Sequence, residues 1–100
     1  MARYRIESAI VDTEKSTANW EESKYWDGNN FISNATSSQW DHQHLYKSRR
    51  GRYYIVHSSQ WRGIHNWAEW ISPQEATRWL LQMNHSLPVD LEQYEEQIIE

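Results

Sequence analysis

The sequence contains no cysteine, and that absence removes disulfide bonds, thiolate nucleophiles and cysteine-based zinc sites together, as fits a reducing compartment. Only three glycines occur in 100 residues, too few for a glycine-rich phosphate loop, and no serine stands in a nucleophile-elbow context. No stretch approaches the about 18 apolar residues of a membrane span, and the opening MARYRIES carries no apolar core of a secretory leader. Asn34-Ala35-Thr36 and Asn84-His85-Ser86 match the glycosylation tripeptide but, without a leader, are read as coincidences of a polar sequence. Positive charge is short overall: ten basic residues stand against fourteen acidic, a net charge of −4, which argues against a general binder of nucleic acid or anionic membranes. The expectation is a cytoplasmic, non-enzymatic protein with no cofactor and no membrane attachment.

Aromatic residues are abundant instead. Seven Trp, six Tyr and one Phe must supply core volume that Leu, Ile and Val supply in most domains, and each buried Trp or Tyr needs a partner for its polar edge. Trp20, Trp79 and one of Trp67 and Trp70 are expected inside; Trp26, Trp40 and Trp61 lie in loop-like surroundings and are expected to be exposed. A chain of this length supports one core, so residues 1–100 are read as a single domain.

Tyr4, Ile6 and Ile10 alternate with polar residues from Arg3 to Val11, the period of a half-buried strand. Residues 12–16 read as a turn, with a returning strand through Ala18 and Trp20 that would form a hairpin with the first. Residues 23–40 mix turn formers with isolated aromatics and read as a long irregular loop. Arg49-Arg50-Gly51 has the form of a three-residue hairpin loop closed by a left-handed glycine, which pairs Lys47 with Tyr53, Tyr46 with Tyr54 and Leu45 with Ile55. That hairpin is apolar on both faces and belongs mid-sheet. Trp67 to Ile71 forms a further strand. Ser72-Pro73-Gln74-Glu75 is a capping box with Pro at the first helical position, and Ala76, Trp79, Leu80 and Met83 give the following helix its apolar stripe. Asn84 ends it, and Leu91, Tyr94 and Ile98 mark a second short helix capped by Asp90. The fold class is α+β: an antiparallel sheet of about four to five strands packed by a C-terminal helix and a second short helix.

Charge is unevenly spread. Lys47, Arg49, Arg50, Arg52 and Arg62 are half of all basic residues, while Asp90, Glu92, Glu95, Glu96 and Glu100 make the last 11 residues purely acidic. A cationic tip beside Tyr46, Tyr53, Tyr54 and Trp61 has the ingredients of a single-strand nucleic-acid binder. A solvated turn and a dock for an acidic protein are the competing readings, and the tip also suits this chain's own acidic C-terminus. His42 and His44 share a strand face, with Asp41 near by and His57 nearly opposite in the proposed register, so a metal-dependent hydrolase is a third reading. Asp12, Glu14, Asp41 and Glu69 offer acid and base groups, as any acidic protein does.

Three blocks, VDTEKST at 11–17, LYKSRRGRYYI at 45–55 and AEWISPQEATRWLLQMNHSLPVDLEQY at 68–94, together resemble a scattered group of small uncharacterised bacterial proteins. Some of these are carried on phages, plasmids or other mobile elements, and they share an LYxxxxGx(Y/F)(Y/F) hairpin, a polar loop and an EEA-x-x-W helix. The resemblance implies a bacterial or phage cytosolic protein acting as an accessory or anti-defence factor, and carries over no catalytic residue. The leading expectation is a binding module that docks on a protein partner through Lys47, Arg49, Arg50, Arg52, Trp61 and Arg62, with nucleic acid as the alternative partner and no metal. An exposed Trp-rich face would equally serve as a homodimer seam.

Overall fold

The period-two stretch at the start of the chain folds back on itself. In the computed structural model, which describes residues 3–61, 63 and 65–98, β1 (Arg3–Ile6) and β2 (Ala9–Asp12) pair antiparallel through a two-residue loop, with Tyr4 opposite Val11 and Ile6 opposite Ala9. This corrects the single strand expected over 3–11. The reversal resets the side-chain parity: Ile6 and Val11 turn inward while Ile10 is 73% exposed, whereas an unbroken strand would have put Ile6 and Ile10 on one face. Glu7 takes a φ of 56° in the loop, a conformation that Gly or Asn would have advertised and Glu does not.

Asp12 caps a single 3-10 turn over Thr13–Lys15, its carboxylate accepting from the Glu14 amide at 3.0 Å. The strand that follows, β3 (Ala18–Glu21), pairs with β6 (Asp41–Lys47), Trp20 opposite Leu45, and not with the first hairpin. Residues 23–40 are also more ordered than a loop: β4 (Lys24–Trp26) and β5 (Phe31–Ser33) form a small hairpin whose turn is held by Asp27, which accepts from the Asn29 and Asn30 amides at 2.8 Å each. Three-residue strands that expose Tyr25, Trp26 and Phe31 show no burial period to read.

The central hairpin follows its sequence signal. Gly51 sits at φ 89°, the Ser48 amide donates to the Arg52 carbonyl at 2.7 Å, and β6 pairs with β7 (Tyr53–Ser59) in the register expected, Lys47 opposite Tyr53 and Leu45 opposite Ile55. With β8 (Trp67–Trp70) the order is β3-β6-β7-β8, all antiparallel. The helix α1 (Pro73–Gln82) starts at the capping box, the Ser72 hydroxyl accepting from the Glu75 amide and the Glu75 carboxylate accepting from the Ser72 amide. It ends on Asn84 at φ 62°, where the His85 amide donates to the Leu80 carbonyl and the Asn84 amide to that of Leu81, a left-handed C-terminal cap. A 3-10 segment over Val89–Tyr94 leads into α2 (Glu95–Ile98).

One sheet face presents Leu45, Tyr53 and Ile55 to Ala76, Trp79, Leu80 and Met83 of α1 and to Leu91. The opposite face presents Tyr54, Val56 and Ala68 to Ile6 and Val11 of the first hairpin, flanked by Tyr4, Tyr46 and Trp70. Each large apolar side chain so buried contributes about 1.5–3 kcal/mol. The aromatic polar edges are satisfied: Trp79 Nε1 donates to Gln43 Oε1 at 2.9 Å, and the buried Tyr54 hydroxyl bonds that of Ser16. The fold is α+β, with both faces of its main sheet covered. Trp20 and Trp70 are half-buried and Trp79 buried, while Trp26, Trp40, Trp61 and Trp67 are exposed. Among the described residues no helix is long and apolar enough to cross a membrane.

Candidate functional site, a basic cleft at the hairpin tip

Packing the β1–β2 hairpin over the face that carries Tyr54 and Trp70 leaves a cleft of about 700 Å³ between that hairpin and the arginine loop. Arg3, Lys15, Arg49, Arg50 and Arg52 line it, with Asp12 as the one carboxylate among the described residues and Ile10 as an exposed apolar wall. Arg3 Nε lies 3.3 Å from Asp12. Burial works to raise the Asp12 pKa, but the Glu14 amide and the Arg3 guanidinium outweigh it and hold the carboxyl below its usual value, so Asp12 stays charged and offsets Arg3. Among the described residues Lys15, Arg49 and Arg50 form no ion pair with another side chain.

Arg52 is placed differently. Its guanidinium lies over the Trp70 ring, 3.9 Å from the centroid, a cation–π contact worth about 0.5–1 kcal/mol at an exposed site. The ring fixes one face of the guanidinium and leaves its N–H edge for an oxyanion, the planar fork that suits a carboxylate or phosphate. The same contact occupies the face of Trp70 on which a base would stack.

The tyrosines beside the tip are not part of this surface. Tyr53 is 4% and Tyr54 0% exposed, on opposite faces of the sheet. Tyr53 donates to Asp90 Oδ2 at 2.7 Å; burial first, and then that carboxylate, push its pKa far up, so it stays a neutral donor. Burial likewise raises Tyr54, against the opposing hydrogen bond to Ser16. Tyr46 stacks on Tyr54 at 5.2 Å within the row.

The residues expected to form one contact surface are therefore divided. Arg49, Arg50 and Arg52 share the cleft. Lys47 points to the helix side, 3.3 Å from Asp90 and 5.7 Å from the Tyr53 ring centroid. Trp61 lies beyond the far end of β7, a strand that itself rises about 20 Å away from the tip, and packs there on Trp40 with centroids 5.0 Å apart. Arg62 lies outside the described residues. Arg3, Ile10 and Lys15 complete the cleft and carry no local sequence signal, because they reach the tip only through the packing of the first hairpin.

The histidines are divided too. His57 stands opposite Gln43 and so lies on the sheet face away from His44, while His42, His57 and His65 border one recess of about 150 Å³ beside Asp41. His42 bonds Glu22 at 3.2 Å and His44 bonds Asn19 at 3.1 Å, while His57 stacks on Trp67 at 4.1 Å. Among the described residues no three His, Asp or Glu side chains are grouped to hold a metal ion. No family model, curated protein or solved structure matches the chain.

Proposed function

We propose that the protein is a non-enzymatic docking module that takes an acidic segment of a protein partner into the cleft between the β1–β2 hairpin and the Arg49-Arg50-Gly51 loop. The observation that carries this reading is the lining: among the described residues, five cationic side chains against one carboxylate that is already paired, with an exposed isoleucine beside them. Such a cleft focuses positive potential, and its isoleucine suits a peptide better than a phosphate backbone. Nucleic acid is disfavoured because the stacking platforms that a single-strand binder uses are withdrawn here, Tyr53 and Tyr54 into the core and Trp70 under Arg52. An accessory role on a mobile element, implied by the sequence resemblance, is compatible with a module of this kind.

Titration with a glutamate-rich peptide and with a single-stranded oligonucleotide of equal charge, read by calorimetry, tests the proposal. The peptide is expected to bind and an Arg49→Ala, Arg50→Ala, Arg52→Ala variant to lose it. Preference for the oligonucleotide, with affinity falling steeply in salt, would replace the reading with nucleic-acid binding. Binding of neither would overturn both.

A further inference from the structure

We infer that the occupant of the cleft is the acidic C-terminal segment of a second copy of this chain, exchanged reciprocally in a two-fold dimer. This rests on the reading of the cleft as a site for an acidic protein segment and names the partner. The counterpart is on the same molecule. No Lys or Arg follows Arg78 in the sequence, and the segment from Val89 to Ile98 exposes Asp90, Glu92, Glu95 and Glu96. Asp90 is held by Lys47 and Tyr53; Glu92, Glu95 and Glu96 form no ion pair among the described residues. Val89 stands 84% exposed beside them, as Ile10 stands 73% exposed in the cleft.

Within one chain the two patches do not meet. Leu91, 1% exposed, fixes the acidic segment into the cluster on the α1 side of the sheet, whereas the cleft is built on the other side by the β1–β2 hairpin. Arg52 and Trp70 stand between them, lining both the cleft and a second recess that Tyr53, Asp90, Leu91 and Tyr94 border. Patches of opposite charge thus flank one end of the central hairpin. A two-fold axis beside that end sets each segment against the other copy's cleft, an isologous contact that closes at two. Carboxylates then face guanidinium groups and Val89 faces Ile10, in an association driven by charge and weakened by salt.

Sedimentation of the full chain tests this. The wild type is expected to dimerise at low salt, with an affinity at least about tenfold weaker at high salt. Arg49→Glu, Arg50→Glu and Glu95→Lys, Glu96→Lys variants are each expected to be monomers with unchanged circular dichroism. Mixed in equal amounts they are expected to form a heterodimer, since each then offers the charge the other needs. Failure of the mixture to associate, or a dimer that persists in high salt or in either variant alone, would overturn the inference. If a variant does not fold, the salt dependence of the wild type decides. A wild-type monomer that still binds the glutamate-rich peptide would remove the dimer alone; a monomer that ignores the peptide would remove the docking reading with it.

Discussion

Glu7 shows how much a single backbone conformation decides. At φ 56° it carries the strain of a side chain in the left-handed region, about 1–2 kcal/mol, and among the described residues its exposed side chain makes no bond that offsets it; the nearby Arg5 guanidinium bonds the Glu7 carbonyl, which any residue retains. Glu7→Gly is expected to raise stability by about 1 kcal/mol, read as a higher urea midpoint at unchanged slope. No rise would mean that the loop relaxes without strain in solution. The residue is also where the sequence misled: lacking Gly, Asn or Pro at 7 and 8, the turn left no chemical mark, and the alternation on either side read as one strand.

At the scale of elements, legibility followed locality. The α1 start is a capping box within four residues, and the central hairpin is fixed by Gly51 and its neighbours, so both could be placed with their registers. Ser72→Ala removes the side chain that satisfies the Glu75 amide at 3.1 Å and is expected to cost about 1 kcal/mol, measurable by thermal or urea denaturation; a loss near zero would show that water replaces the cap. The pairing of β3 with β6 rather than with the first hairpin was not readable. Both partners offered compatible alternation, and the choice is made by the 25-residue separation of Trp20 and Leu45 closing in three dimensions. The small β4–β5 hairpin was missed because its strands bury too little to impose a pattern.

For the whole molecule, His44 and His57 shape the pH response near neutrality. Burial holds His57 below its ordinary value despite Glu69, whose Oε2 at 3.6 Å is too far for a hydrogen bond, and burial holds His44 below 6.5 despite Glu21 and Glu22. The folded protein therefore binds these protons less readily than the unfolded chain. Stability is full above the unfolded value of 6.5 and is expected to fall as the pH drops below it, until the lowered folded values are passed. Urea midpoints between neutral and mildly acidic pH read this directly, and a His44→Gln, His57→Gln variant should show a shallower decline. Asp90 adds a separate effect: burial opposes its charge, but the Tyr53 and Lys47 hydrogen bonds leave its pKa lowered from 3.8, so that contribution is lost only in stronger acid.

The amino-acid sequence by itself determined the α+β class, the central hairpin and its register, the helix with both its ends, and the concentration of positive charge at the tip. Those depend on contacts within a few residues, where turn chemistry, capping and periodicity act directly. Tertiary structure decided that Tyr53 and Tyr54 are both buried, that Trp61 and the arginines stand at opposite ends of β7, and that Arg3, Ile10 and Lys15 join Arg49, Arg50 and Arg52 around one cleft. The physical reason is that the first hairpin covers the sheet through Ile6 and Val11. Burial of those two side chains is specified by the shape of the surface they meet, which no local stretch of sequence encodes.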